Sequence, residues 1–151
     1  MKFILTKELG RLVKWLRILG YDSEYFKQDK TSSLFILALR DERIIVTRNQ
    51  RLSQPRGVKI IVLKAEVLKA QLGELLKALN IALDKGIMFS RCSVCNTGLK
   101  PIEKQEVKHK VPAYVYQNQE KFTTCPACQR IYWQGTHWGN VSQALKEISL
   151  L

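Results

Sequence analysis

All four cysteines of this 151-residue chain fall in two Cys-x-x-Cys pairs, Cys92–Cys95 and Cys125–Cys128, with 29 residues between them. No other feature of the sequence limits the folded structure so strongly. Each pair forms a tight turn that aims two sulfurs the same way. Two such turns let four thiolates converge tetrahedrally on one Zn²⁺, at about 2.3 Å from each sulfur. The insertion between them is longer than usual but costs little, because closure entropy grows only with the logarithm of loop length. Two disulfides are the alternative. Against them, the apolar run at the N-terminus, Phe3 to Leu5, is too short for a secretory signal, and disulfides are uncommon inside cells. A redox Cys-x-x-Cys needs one pair, not two. The expectation is one structural zinc ion held by Cys92, Cys95, Cys125 and Cys128. Four thiolates close the coordination sphere, so such a site braces a small module rather than activating water.

The residues before the cysteines follow another plan. Phe3 to Thr6 read as a short buried strand. Leu9, Leu12, Val13, Leu16 and Leu19 then recur at helical spacing until Gly20 ends the helix. Residues 21–26 read as a second strand. Thr31, Ser32 or Ser33 can cap a helix running to about Glu42. The β-branched run at 43–47 and residues 58–63 read as strands, and a last helix covers about 65–81. Strands alternating with helices imply an α/β fold, a parallel sheet with flanking helices. The style changes near Gly86. After it come all the cysteines, both histidines and three of the four prolines. Glu106 to Phe122 alternates like a β-hairpin. The chain thus divides into an α/β domain, residues 1–86, and a four-cysteine β module with a C-terminal helix, residues 87–151. His109 and His137 lie outside the cysteine pairs. The aromatic cluster around His137 (Tyr132, Trp133 and Trp138) can stack on bases or pack the module onto the α/β domain, and packing is the expectation.

A formal net charge of +12, shared by both halves, attracts polyanions, of which nucleic acid is the commonest inside cells. Lys7, Arg11 and Lys14 stand at i, i+4 and i+7 on one helix face, with Arg17 nearby, and Arg48 and Arg51 follow the strand at 43–47. Ligands of a parallel sheet gather beyond the carboxyl ends of its strands. That edge carries Thr6, Lys7, Thr47, Arg48 and Asn49, groups suited to phosphate contact. No apolar run reaches about 18 residues, so no membrane span is expected, and the expected location is cytoplasmic.

Several stretches carry a family resemblance. They are Leu9-Gly10-Arg11-Leu12, Trp15 to Asp22, Arg43 to Arg48, Arg91 to Asn96, Val111 to Val115, and Cys125 to Cys128 continuing through Tyr132 to Trp138. In this order, over nearly the whole chain, they resemble the Mut-seven C-terminal RNase domain family. The resemblance implies a PIN-like α/β nuclease fold followed by a zinc ribbon. It also implies a set of carboxylates at the sheet edge that holds Mg²⁺ or Mn²⁺ beside the scissile phosphate.

This chain departs from that pattern at its chemistry. The family pattern has an aspartate where Thr6 stands, another where Asn49 follows Thr47-Arg48, and a further acidic position near Thr31 to Ser33, with Asp29 close by. Neutral residues compensate a divalent cation poorly. The expectation is an RNA-binding protein on a degenerate ribonuclease fold, gripping RNA through Lys7, Arg11, Lys14, Arg17, Arg48, Asn49 and Arg51. One alternative is an active Mg²⁺- or Mn²⁺-dependent ribonuclease with relocated carboxylates, Glu8 and Asp29 being the candidates. Another is a non-catalytic adaptor with a protein partner, or a homo-oligomer.

Overall fold

The computed structural model describes residues 1–149, and the backbone alone at 136–140 and 148–149. Strand β1 (Lys2–Thr6) lies between β2 (Asp22–Phe26) and β3 (Ile44–Thr47), with β4 (Ile60–Val62) outside β3. All pairings are parallel, in the order β2-β1-β3-β4. Alternation along β1 dictates the layers. Phe3 and Leu5 face a core formed with helices α1 (Gly10–Ile18) and α3 (Leu68–Ala78). Ile4 and Ile45 face the opposite side, onto Leu34 and Ala38 of α2 (Thr31–Arg40). Burying each large apolar side chain contributes about 1.5–3 kcal/mol, enough to fix which face each strand residue takes.

Gly20 ends α1 in a left-handed conformation, φ +91°, which satisfies two terminal carbonyls. Its N–H donates to Arg17 at 3.0 Å, and the N–H of Tyr21 donates to Leu16 at 2.9 Å. A Cβ here would stand 2.2 Å from the carbonyl oxygen of Ile87, so only glycine admits the connector that leads to the cysteines.

The cysteine module holds a three-stranded antiparallel sheet of β5 (Lys100–Ile102), β6 (Phe122–Thr124) and β7 (Ile131–Trp133). Two expectations need correcting. Residues 106–122 do not form a hairpin. A 3₁₀ turn (Lys104–Val107) is closed by a Glu103/Glu106 capping box, and a short helix, α4 (Ala113–Asn118), follows Pro112. The valines decide this. Val107, Val111 and Val115 recur every fourth residue and turn inward with Phe122, while Tyr114 is 68% exposed. Pro112 also lacks the N–H that a strand ladder needs. In α2, no threonine or serine side chain caps the helix. Lys30 takes the cap position and Thr31 begins the first turn. The burial of Leu34 and Ala38 anchors the helix instead.

The last helix, α5 (Thr136–Ser149), returns to the first layer. Val141 and Leu145 are buried in the same core as Phe3 and Leu72, and Lys69 of α3 is ion-paired with Glu147.

Candidate nucleic-acid cleft and metal centre

The chain path reverses at β1. The β1–β2 connection carries α1 on one face, and the β2–β3 connection carries α2 on the other. Such a switch leaves a crevice at the carboxyl ends of the two middle strands. Here it is a cleft of about 440 Å³, with Phe26, Leu34 and Leu52 as apolar lining and Thr6, Thr47 and Arg48 among its polar groups.

Glu8 occupies that edge. A single 3₁₀ turn, Lys7–Leu9, brings its carboxylate back over the strand ends. One oxygen, Oε1, accepts from the hydroxyl of Thr6 at 2.6 Å, the hydroxyl of Thr47 at 3.2 Å and the N–H of Arg48 at 2.9 Å. The two hydroxyls are 2.9 Å apart. Partial burial pushes the Glu8 carboxyl up, but the Arg48 N–H and the two threonines outweigh it, leaving the group below its ordinary value. Glu8 is therefore an anion already supplied with protein donors.

The other expected residues are distributed as follows. Asp29 lines the same cleft and is ion-paired with Lys7 at 2.5 Å, which raises the lysine's pKa. Asn49 is exposed, and its side-chain oxygen accepts from the Arg51 N–H at 3.0 Å in a local turn. Arg48 reaches Glu66 at 3.1 Å, while its Nε has no hydrogen-bond partner. Arg11, Lys14 and Arg51 are exposed. Arg17 needs a correction. It is only 7% exposed and turns away from the basic face, because its place on α1 faces β2 and the first cysteine pair. Its Nε donates to the Ser23 carbonyl at 2.8 Å, and its Nη1 to Val94 at 2.6 Å and Ser93 at 3.3 Å.

The cysteines come together. All four Sγ atoms lie within 4.8 Å of one another. Cys92 and Cys128 are 3.5 Å apart, and Cys95 and Cys125 are 3.3 Å apart. A disulfide requires about 2.05 Å. Four sulfurs tetrahedral about zinc stand about 3.8 Å apart, so the donor set and its spacing fit that ion. The N–H groups of Cys95 and Cys128 point at Cys92 Sγ and Cys125 Sγ, both at 3.5 Å. The Tyr132 hydroxyl lies 3.0 Å from Cys92 Sγ. These groups stabilise thiolate charge and orient the sulfurs. Among the described residues, no other group of three or more His, Cys, Asp or Glu side chains converges closely enough to share an ion.

Trp133 packs near Phe122, with ring centroids 6.5 Å apart, inside the cysteine module. His109 is exposed, and the side chains of His137 and Trp138 lie outside the described residues. No helix among the described residues is long and apolar enough to cross a membrane. Two features were missed in the sequence: the hydroxyl cradle around Glu8, and the role of Asn96. The first joins residues 41 positions apart, Thr6 and Thr47, and has no local signal. The second had one, since asparagine just after a cysteine pair tolerates the left-handed turn found there, φ +70°.

A family model described as the Mut7-C RNAse domain matches residues 1–145. No curated protein and no solved structure matches the chain.

Proposed function

The chain belongs to the Mut7-C RNAse domain family, and on that premise we propose an RNA-binding protein whose nuclease metal site has been replaced by a phosphate-binding edge. The observation that carries this reading is the state of Glu8. Its Oε1 is supplied by three protein donors, and two of them, Thr6 and Thr47, are neutral hydroxyls at the strand ends where a nuclease would hold its cation. Asp29, the other carboxylate of the cleft, is ion-paired with Lys7 at the surface. A divalent ion competing for these carboxylates must displace strong, charge-assisted hydrogen bonds and an ion pair.

The same arrangement favours phosphate. With hydroxyls in place of carboxylates, the edge repels an anionic backbone less. Arg48 and Asn49 line the cleft, exposed Arg11, Lys14 and Arg51 add cationic groups from α1 and the turn after β3, and Lys7 can exchange its Asp29 partner for a phosphate. Binding of this kind releases counterions from the RNA and weakens steeply with salt. In the same reading, Cys92, Cys95, Cys125 and Cys128 hold one zinc ion. The ion supplies structural cross-linking only, since four thiolates leave no open coordination position.

The test combines gel shift and cleavage on labelled single-stranded and structured RNA, with Mn²⁺, Mg²⁺ or EDTA. Salt-sensitive binding without cleavage is the expected result. Divalent-dependent cleavage that survives repurification and falls in Glu8→Gln would instead establish an active nuclease using a relocated carboxylate.

A further inference from the structure

Among the described residues, five polar or charged side chains are buried, and three of them meet at one place: Arg17 on α1, Ser23 on β2, and Asn96 just after the first cysteine pair. β2 is an edge strand, paired only with β1. An edge strand leaves a row of backbone groups without sheet partners. At Ser23 both are taken. Its N–H donates to Asn96 Oδ1 at 3.0 Å, and its carbonyl accepts from Arg17 Nε at 2.8 Å. The knuckle and the helix therefore stand where a further strand would pair.

Asn96 serves the other side too. Its own N–H donates to the Cys92 carbonyl at 3.0 Å and closes the turn that aims Cys92 and Cys95 at a common point. Its Nδ2 donates to Asp22 Oδ1 at 2.9 Å, and Arg43 holds the same carboxylate oxygen at 2.5 Å. Arg17 completes the bridge by donating to the Ser93 and Val94 carbonyls inside the Cys-x-x-Cys turn. Its cation is thus fixed beside the first cysteine pair, where four thiolates on one Zn²⁺ would leave net negative charge.

We infer that Arg17 and Asn96 are positioning residues for the metal, and that the first cysteine knuckle and the edge of the parallel sheet form one cooperative unit. This rests on the reading of the cysteines as zinc ligands. Metal fixes the knuckle, the knuckle fixes Asn96, and Asn96 with Arg17 holds β2. Coupling of this kind is reciprocal, so loosening the β2 side must also weaken the hold on metal. Groups that orient metal ligands without touching the ion commonly govern affinity by about 10–100-fold.

The experiment uses the full zinc-loaded chain. Amide exchange is followed across residues 22–26 before and after zinc is withdrawn by a chelator. Zinc release into a chromogenic chelator is timed for the wild type, Arg17→Met, Arg17→Lys and Asn96→Gly. Glycine keeps the left-handed backbone at 96 and removes only the side chain. The expected result is loss of protection in β2 together with the cysteine module when zinc leaves. Release should be about tenfold faster or more in Arg17→Met and Asn96→Gly, with Arg17→Lys between them and the wild type. Should Arg17→Met fail to fold, Asn96→Gly and the wild-type exchange data decide. β2 protection that ignores zinc withdrawal, or wild-type release rates in Asn96→Gly, overturns the coupling alone. A purified chain that holds no zinc by metal analysis overturns the zinc reading and this inference with it.

Discussion

The cysteine cluster and the cleft at the carboxyl end of the sheet both gather residues of metal-binding type, and they differ in what those residues are already bonded to. In the cluster, four like ligands converge, and their neighbours point N–H and O–H groups at the sulfurs. Four converging thiolates would still repel one another without a shared cation. In the cleft, the carboxylates have found protein donors: Glu8 two threonines and a backbone N–H, Asp29 the ammonium of Lys7. Ligand identity alone does not make a metal site. Convergence matters too, and among the described residues only the cysteines bring three or more such ligands within reach of one ion.

The largest effect should come from the cluster. Cys125 is fully buried, and Cys125→Ser should abolish stoichiometric zinc and unfold the β5–β7 module, a loss on the order of 10 kcal/mol by analogy with small zinc domains. Metal analysis and the near-ultraviolet aromatic signal, compared with and without zinc, check it. A folded, zinc-free variant would remove the contrast between the two regions. Next in size is the basic rim. Arg11→Glu with Arg48→Glu should weaken RNA binding roughly 10–100-fold at low salt and reduce the slope of log K against log salt by about 2. Unchanged affinity would place RNA elsewhere.

A third experiment turns the cleft into the cluster's counterpart. Thr6→Asp with Asn49→Asp returns carboxylates to the edge and takes one donor from Glu8. Mn²⁺ affinity, read by calorimetry, should rise at least about tenfold, with weaker RNA binding in EDTA. No gain would mean that Arg48 and Lys7 still dominate the field there. The smallest effect is Glu8→Gln, about 1 kcal/mol or less because the carboxylate is half in solvent, or about 2–4 °C in Tm. The folded-state pKa of Glu8 is lowered, so its stabilisation is fully present above the unfolded value of about 4.3 and is lost as pH falls through the folded value. The Tm gap between wild type and Glu8→Gln should therefore be constant near neutrality and close below about pH 4. A gap that widens on acidification would mean that the cradle around Glu8 does not stabilise its charged form.

Local pattern carried much of this molecule. The order of strands and helices in the first 80 residues, the end of α1 at Gly20 and the four-cysteine set all follow from periodicity, a single glycine and a spacing. Where local pattern misled, it had counted residues that the fold treats differently. In residues 106–122 the alternation suggests a hairpin, but Val107, Val111 and Val115 recur every fourth residue and Tyr114 is exposed, in keeping with the turn and short helix found there. Arg17 shared the run of cations on α1, but its position on the helix circumference turned it onto the cysteine module.

What the sequence determined by itself is therefore what neighbours along the chain can enforce: which segments can be strand or helix, which face of each is apolar, and that four thiols sit in two tight turns. What the tertiary structure decided is which polar group meets which. Thr6 meets Thr47 across 41 residues, Ser23 meets Asn96 across 73, and Arg17 meets Val94 across 77. The reason is physical. Hydrophobic burial is roughly proportional to area and indifferent to partner, so composition and periodicity report it. A hydrogen bond needs its partner within about 3 Å and in line, and that is settled only once distant segments have packed.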